Sequence, residues 1–226
     1  MARFEIGGIR LDVPRALLTS SIRRRLESGD YEKFEAASAR RLVQAGNRVL
    51  ELGTGAGFVT NVCAMAAGPA NVVTVEANPD LLPVIRRNLR LNGNAAATVL
   101  HGAVGGHDAG ATLAFRQSPA FWASAIADGT GRGPEIEVPV LRLPDLLAEY
   151  RPAVVIMDIE GAEADLFDAP WPDHVQAVLM ELHPKRYPDT VIGRIFDTMS
   201  ESGLIYAPFL SRGPVVGFRR RGLPPI

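Results

Sequence analysis

The sequence predicts a Rossmann-like, doubly wound α/β domain. It should hold a mostly parallel seven-stranded sheet with a β-hairpin insert and a C-terminal antiparallel hairpin. Three observations predict this. Short apolar runs alternate with stretches of helical periodicity between residues 48 and 182, the pattern of a parallel sheet covered on both faces. The first run ends in Gly53-Thr54-Gly55-Ala56-Gly57, where glycines let the backbone approach a ligand. The second ends in Glu76, where a doubly wound fold places a carboxylate against a ribose.

The elements follow in order. Residues 3–11 alternate around Gly7-Gly8 and read as a small hairpin. Residues 14–29 carry Leu17, Leu18, Ile22 and Leu26 at helical spacing after Pro14, and residues 31–45 form a second helical pattern closed by Gly46. Residues 1–46 are thus expected to cap the domain of residues 47–226, the two making one compact unit. Strands are expected at 48–52, 71–76, 97–101, 153–158 and 175–182, with helices over 57–67 and 79–92; Pro79 suits a first helical turn. Residues 102–150 form a long insert, with alternating stretches at 111–116 and 135–140 paired as a hairpin and a helix over 145–150. Residues 204–209 and 215–219, joined by 211–214, form the terminal hairpin.

Composition narrows the function. A formal net charge of -1 over 226 residues gives no reason to expect a nucleic-acid partner. Cys63 is the one cysteine, which excludes an intrachain disulfide or a cysteine metal cluster and fits a reducing cytoplasm. No apolar run approaches the ~18 residues of a membrane span, so no membrane insertion is expected.

The loop spacing is G-x-G-x-G, with Phe58 after Gly57; the dinucleotide fingerprint is G-x-G-x-x-G. Glu51 opens the loop and offers a carboxylate to an ammonium group. Candidate cofactor residues are therefore Glu51, Gly53, Thr54, Gly55 and Gly57, then Glu76, Ala77 and Asn78 after the second strand. Gly102, Ala103 and Val104 follow the third strand, small enough for an adenine ring to pack there. Glu32, on the helix ahead of the loop, is a candidate to close over the cofactor, with a solvated helix face as its alternative.

Asp158-Ile159-Glu160-Gly161-Ala162-Glu163, directly after the fourth strand, resembles the signature of FkbM-type methyltransferases. Tyr31-Glu32 is similar to a Tyr-Glu pair that precedes the cofactor domain in that family. Leu141 to Leu147 resembles its Leu-Asp-Asp-Leu segment, with Pro144 in place of the first Asp, and Glu181-Leu182-His183-Pro184 resembles its Glu-x-His-Pro strand ending. The resemblance spans roughly residues 30–210. It implies a class I methyltransferase fold and methyl transfer from S-adenosylmethionine, usually to oxygen, on acceptors ranging from sugars to natural-product and cell-surface hydroxyls.

In-line methyl transfer needs collinear nucleophile, methyl and sulfur, and a hydroxyl needs a base or a metal ion. Asp158, Glu160, Glu181 and His183 stand at or just past strand ends, where such folds bind ligands, and are the candidate catalytic residues. Asp158 is also a cofactor contact. Either Asp158 or His183 is the base; a structural role at a strand end is the alternative for His183. Glu163 shares a helix face with Glu160 if that helix begins early, or serves as N-terminal helix charge. Acceptor contacts are expected from Phe121, Trp122 and Ser124 in the insert, with Glu160 and His183. No metal ligand set is assigned, although Mg²⁺ is compatible. A homodimer is the default on base rates. An NAD-dependent oxidoreductase and a non-catalytic S-adenosylmethionine-binding protein are the competing readings; Phe58 speaks against the first.

Overall fold

A computed structural model of the chain describes residues 1–117, 125–126 and 134–223. Strands β1 (Ala2–Ile6) and β2 (Ile9–Val13) form the N-terminal hairpin. Helix α1 (Ser20–Ser28) starts later than its periodicity suggests, because residues after Pro14 make a 3₁₀ turn and Thr19 caps the helix. Helix α2 (Lys33–Leu42) begins after Glu32, whose backbone is left-handed with φ 45°.

The core then runs β3 (Val49–Leu52), α3 (Phe58–Ala67), β4 (Val72–Glu76), α4 (Leu82–Leu91) and β5 (Thr98–His101). The insert contributes β6 (Ala103–Gly105), β7 (Thr112–Arg116), β8 (Ala125–Ile126), β9 (Glu135–Arg142) and α5 (Leu143–Tyr150). The chain ends with β10 (Val154–Met157), β11 (Ala177–Glu181), α6 (Asp189–Glu201), β12 (Leu204–Tyr206) and β13 (Val215–Arg220).

The main sheet has seven strands in the order β12-β13-β11-β10-β3-β4-β5. β3, β4, β5, β10 and β11 pair in parallel, and β13 runs antiparallel to both β11 and β12. The expected insert hairpin is present as β7 against β9, but it belongs to a four-stranded sheet in which β6 pairs parallel to β9.

Alternation along the central strands sorts the core into two layers. Val49, Val154, Ile156, Ala177 and Leu179 face one side, where they join Phe58, Val62 and Ile85 and the N-terminal Ile9, Leu11, Ile22 and Leu26. Leu50, Leu52, Val155, Met157, Val178 and Met180 face the other, against Leu146, Phe167, Trp171 and the α6 residues Ile195 and Met199. Helix α6 is absent from the sequence reading. Thr190-Val191-Ile192 and Gly193 are weak helix formers, and the helix is held by burying Ile195 and Met199.

Candidate active site

The loop after β3 is shaped by backbone contacts. Gly53 has φ 86°, and a Cβ there would stand 1.8 Å from the Asp158 carbonyl oxygen, so only glycine lets this loop and the segment after β10 meet. The Ala56 amide donates to the Tyr31 hydroxyl at 3.3 Å, and Asn88 donates to the Ala56 carbonyl at 2.9 Å. Phe58 packs beside Tyr31 with ring centroids 6.2 Å apart. The position that breaks the dinucleotide spacing thus seats the N-terminal cap on the loop.

A cavity opens at the carboxyl ends of β3, β4 and β10, as expected for a doubly wound sheet. Gly53, Gly55, Glu76 and Ala77 line it from the first two loops, and Gly102, Ala103 and Val104 from the third. Tyr31 and Glu32 close it from the cap, Phe115 from the insert, and Asp158, Ile159 and Glu160 from the segment after β10. Glu76 accepts from the amides of Thr54 at 3.2 Å, Gly55 at 3.1 Å and Asn78 at 2.8 Å. Burial nonetheless raises its pKa, the backbone donors opposing the shift. Burial also lifts Glu32 well above the usual carboxylate range, with Glu35, Asp158 and Glu51 adding to the rise.

Several residues chosen from sequence lie behind this surface. Glu51 is 1% exposed, accepts from the Thr60 hydroxyl and, at 2.6 Å, from Thr74, and is raised to about 7 by burial. Thr54 turns its hydroxyl to Thr74 at 2.5 Å and the Val75 carbonyl at 3.0 Å. Asn78 caps the turn before α4, accepting from the Asp80 amide at 3.1 Å, and Gly57 caps α3. None of these four is among the residues lining the cavity. Gly102 lines it, but its size also answers to packing: a Cβ would meet the Pro139 carbonyl at 2.9 Å and Leu141 at 2.8 Å.

The strand ends bring the candidate catalytic groups together. His183 Nε2 lies 3.4 Å from Asp158 Oδ1 and 3.7 Å from Glu160 Oε2, while Nδ1 lies 3.2 Å from Glu163 Oε1. Burial works to lower the His183 pKa, but Glu163, Asp158 and Glu160 outweigh it and hold the ring at about 9. Asp158 is raised by burial and by Glu181, against the pull of His183. Glu181 is half-buried at the end of β11, raised chiefly by burial. Glu160 does not share a helix face with Glu163. Its backbone is left-handed at φ 55° and the 3₁₀ turn Ala162–Asp165 starts after Gly161. Glu163 is fully buried and also accepts from the Ile159 amide at 3.1 Å. Neither the helix face shared with Glu160 nor the N-terminal helix charge expected from sequence describes it; it closes the Asp-x-Glu-Gly-x-Glu motif as a buried partner of His183. Phe121, Trp122 and Ser124 lie outside the described residues.

A glycine loop, an acidic residue at the end of β4 and a cavity at the carboxyl ends of a seven-stranded sheet define a class I methyltransferase fold. The Methyltransferase FkbM domain matches residues 45–206. The chain therefore belongs to the FkbM methyltransferases, users of S-adenosylmethionine.

Among solved structures, it is similar to a precorrin-6y methyltransferase of Geobacter metallireducens, 14% identical over 87% of this chain and 78% of that one, with a TM-score of 0.46. It is also similar to a Bacillus cereus O-methyltransferase in complex with S-adenosylhomocysteine, 11% identical over 92% and 84%, with a TM-score of 0.41. A third is Aeropyrum pernix fibrillarin with bound S-adenosylmethionine, 14% identical over 82% and 74%, with a TM-score of 0.44. No curated protein matches the chain. Among the described residues, no helix is long and apolar enough to cross a membrane.

Proposed function

We propose that the protein transfers the methyl group of S-adenosylmethionine to a hydroxyl oxygen of a sugar or other small molecule, with Asp158 taking the hydroxyl proton. The observation that carries this reading is the convergence of Asp158, Glu160 and His183 at one edge of the cofactor cavity. Asp158 Oδ1 is buried and has no hydrogen-bond partner among the described residues, which leaves an acceptor free beside the cofactor. His183 stands beside Asp158, 3.4 Å away, with Glu163 at its other ring nitrogen. Substrate selection falls to residues 116–134.

The charge of the cavity supports the cofactor. Glu32, Glu76, Asp158 and Glu160 line it, and no lysine or arginine is among the described lining residues. Such a lining offers acceptor oxygens to an ammonium and no cation to pair with a pyrophosphate, which favours S-adenosylmethionine over NAD. Calorimetric titration with S-adenosylhomocysteine, with NAD in parallel, tests this: binding of the homocysteine ligand alone is expected, and binding of NAD alone overturns the reading. Asp158→Ala should abolish methyl transfer from labelled S-adenosylmethionine while S-adenosylhomocysteine still binds. Full turnover in that variant would remove Asp158 from the reaction.

A further inference from the structure

Asp158, Glu160 and His183 also have the arrangement of a metal-binding group. We propose that they hold one divalent cation of the Mn²⁺ type at the edge of the cofactor cavity, where it takes the acceptor's hydroxyl oxygen as a further ligand. The role given to the acceptor rests on the methyl-transfer reading above; the metal site itself does not.

The first support is spacing. One ligand atom from each of the three residues lies within 4.8 Å of the other two. The His183 Nε2 separations of 3.4 Å and 3.7 Å are close to what one shared ion requires. Two atoms each ~2.1 Å from a metal, at angles of 90–110°, stand about 3.0–3.5 Å apart.

The second support is an unmet valence. Buried carboxylate oxygens are normally hydrogen-bonded, yet Asp158 Oδ1, one of the three ligand atoms, is buried with no hydrogen-bond partner among the described residues. It faces the His183 imidazole, 3.4 Å from Nε2.

The third support is the orientation of His183. A metal-bound histidine usually presents its other ring nitrogen to a carboxylate, which fixes the ring. Glu163 fills that place. It is fully buried, its Oε1 stands 3.2 Å from Nδ1 at ion-pair distance without hydrogen-bond geometry, and it is itself anchored by the Ile159 amide at 3.1 Å. The ring stands with Nε2 toward Asp158 and Glu160. Glu163 is a positioning residue in this scheme, not a ligand.

The donor set indicates the ion. Two carboxylates suit Mn²⁺, which accepts an imidazole nitrogen beside them more readily than Mg²⁺, an ion that favours oxygen and keeps its waters. Three protein ligands leave positions for water or the acceptor oxygen, and a metal-bound hydroxyl loses its proton more readily. Because Asp158 and Glu160 line the cofactor cavity, that oxygen would lie beside the methyl donor.

The test is direct binding of Mn²⁺ to the metal-stripped full chain, followed by loss of the free-ion electron paramagnetic resonance signal, with pulsed measurement of nitrogen coupling. One ion per chain with a nitrogen coupling is expected. His183→Ala should remove that coupling and weaken binding at least about tenfold. Glu163→Gln should keep the coupling but weaken binding by about 10–100-fold, as loss of an orienting partner does. Circular dichroism confirms that each variant is folded. No Mn²⁺ binding, or binding that His183→Ala leaves unchanged, overturns the proposal. The two readings fail separately. Turnover undiminished by chelator, in a chain that does not bind Mn²⁺, sinks the metal site and keeps methyl transfer. Nitrogen-coupled Mn²⁺ in a chain that binds no S-adenosylhomocysteine keeps the site and sinks the reaction.

Discussion

Glu51 carries a pH dependence that follows from its burial. Its folded pKa, about 7, stands above the ordinary 4.5. A group raised on folding binds its proton more tightly in the native state. Its contribution is therefore fully present below about pH 4.5 and is lost as pH rises through about 7. Glu51→Gln keeps the shape and removes the charge. Thermal unfolding from pH 5 to pH 8 should show the variant gaining on the parent as pH rises; a constant difference would mean that Glu51 does not titrate in this window. Gly53 gives a second prediction at this scale. With φ 86° and 1.8 Å from a new Cβ to the Asp158 carbonyl oxygen, Gly53→Ala combines backbone strain with a clash. A loss of about 2–4 kcal/mol in urea denaturation is expected, together with weaker S-adenosylhomocysteine binding. Unchanged stability would mean that the loop and the Asp158 segment do not meet so closely.

Among the elements, the terminal hairpin depends on one side chain. Arg220, at the end of β13, donates to the carbonyls of Val175 at 2.8 Å, Ser202 at 2.8 Å and Pro172 at 3.1 Å. It also meets Asp173 at 3.2 Å. It ties the turn before β11 and the end of α6 to the hairpin. The exposed contact with Asp173 contributes little, whereas the charge-assisted bonds to carbonyls weigh more. Arg220→Met should cost about 2–3 kcal/mol in denaturant. Hydrogen exchange should quicken first in β12 and β13. If all strands lose protection equally, the pin is not local. Only the fold reveals that Arg220 caps three carbonyls.

For the whole molecule, the N-terminal cap and the sheet share one apolar layer. Ile9, Leu11, Ile22 and Leu26 pack in the same cluster as Val49, Ile156 and Leu179. The cap is also tied on by polar contacts: Asp12 accepts from Arg87 at 2.5 Å, and its amide donates to Asn88 at 2.8 Å. Tyr31 and Glu32 complete the cavity wall. Deleting residues 1–46 should therefore expose one face of the sheet and yield aggregated protein without cooperative unfolding. A soluble, cooperatively folding fragment 47–226 would show that the cap is a separate unit.

Much of this was legible in the chain itself. Apolar runs of four to five residues at β3, β4 and β10 have to be buried on both faces, so the parallel sheet follows from local pattern. The glycine loop, Glu76 and Asp158 are picked out by their places at strand ends, where such folds bind ligands, and they line the cavity. Local pattern cannot tell which way a side chain turns. Glu51 and Thr54 sit in the site motif, yet they point beneath the loop because Thr60 and Thr74, from α3 and β4, draw them there. Helix α6 exists because Ile195 and Met199 find an apolar layer, not because its residues favour helix. Glu163 and His183 lie 20 positions apart in sequence and 3.2 Å apart in space. Sequence fixes the periodicities and backbone requirements of single segments. Contacts between segments are paid for in loop-closure entropy and settled by packing, so only the tertiary structure decided which of the carboxylates would surround the histidine.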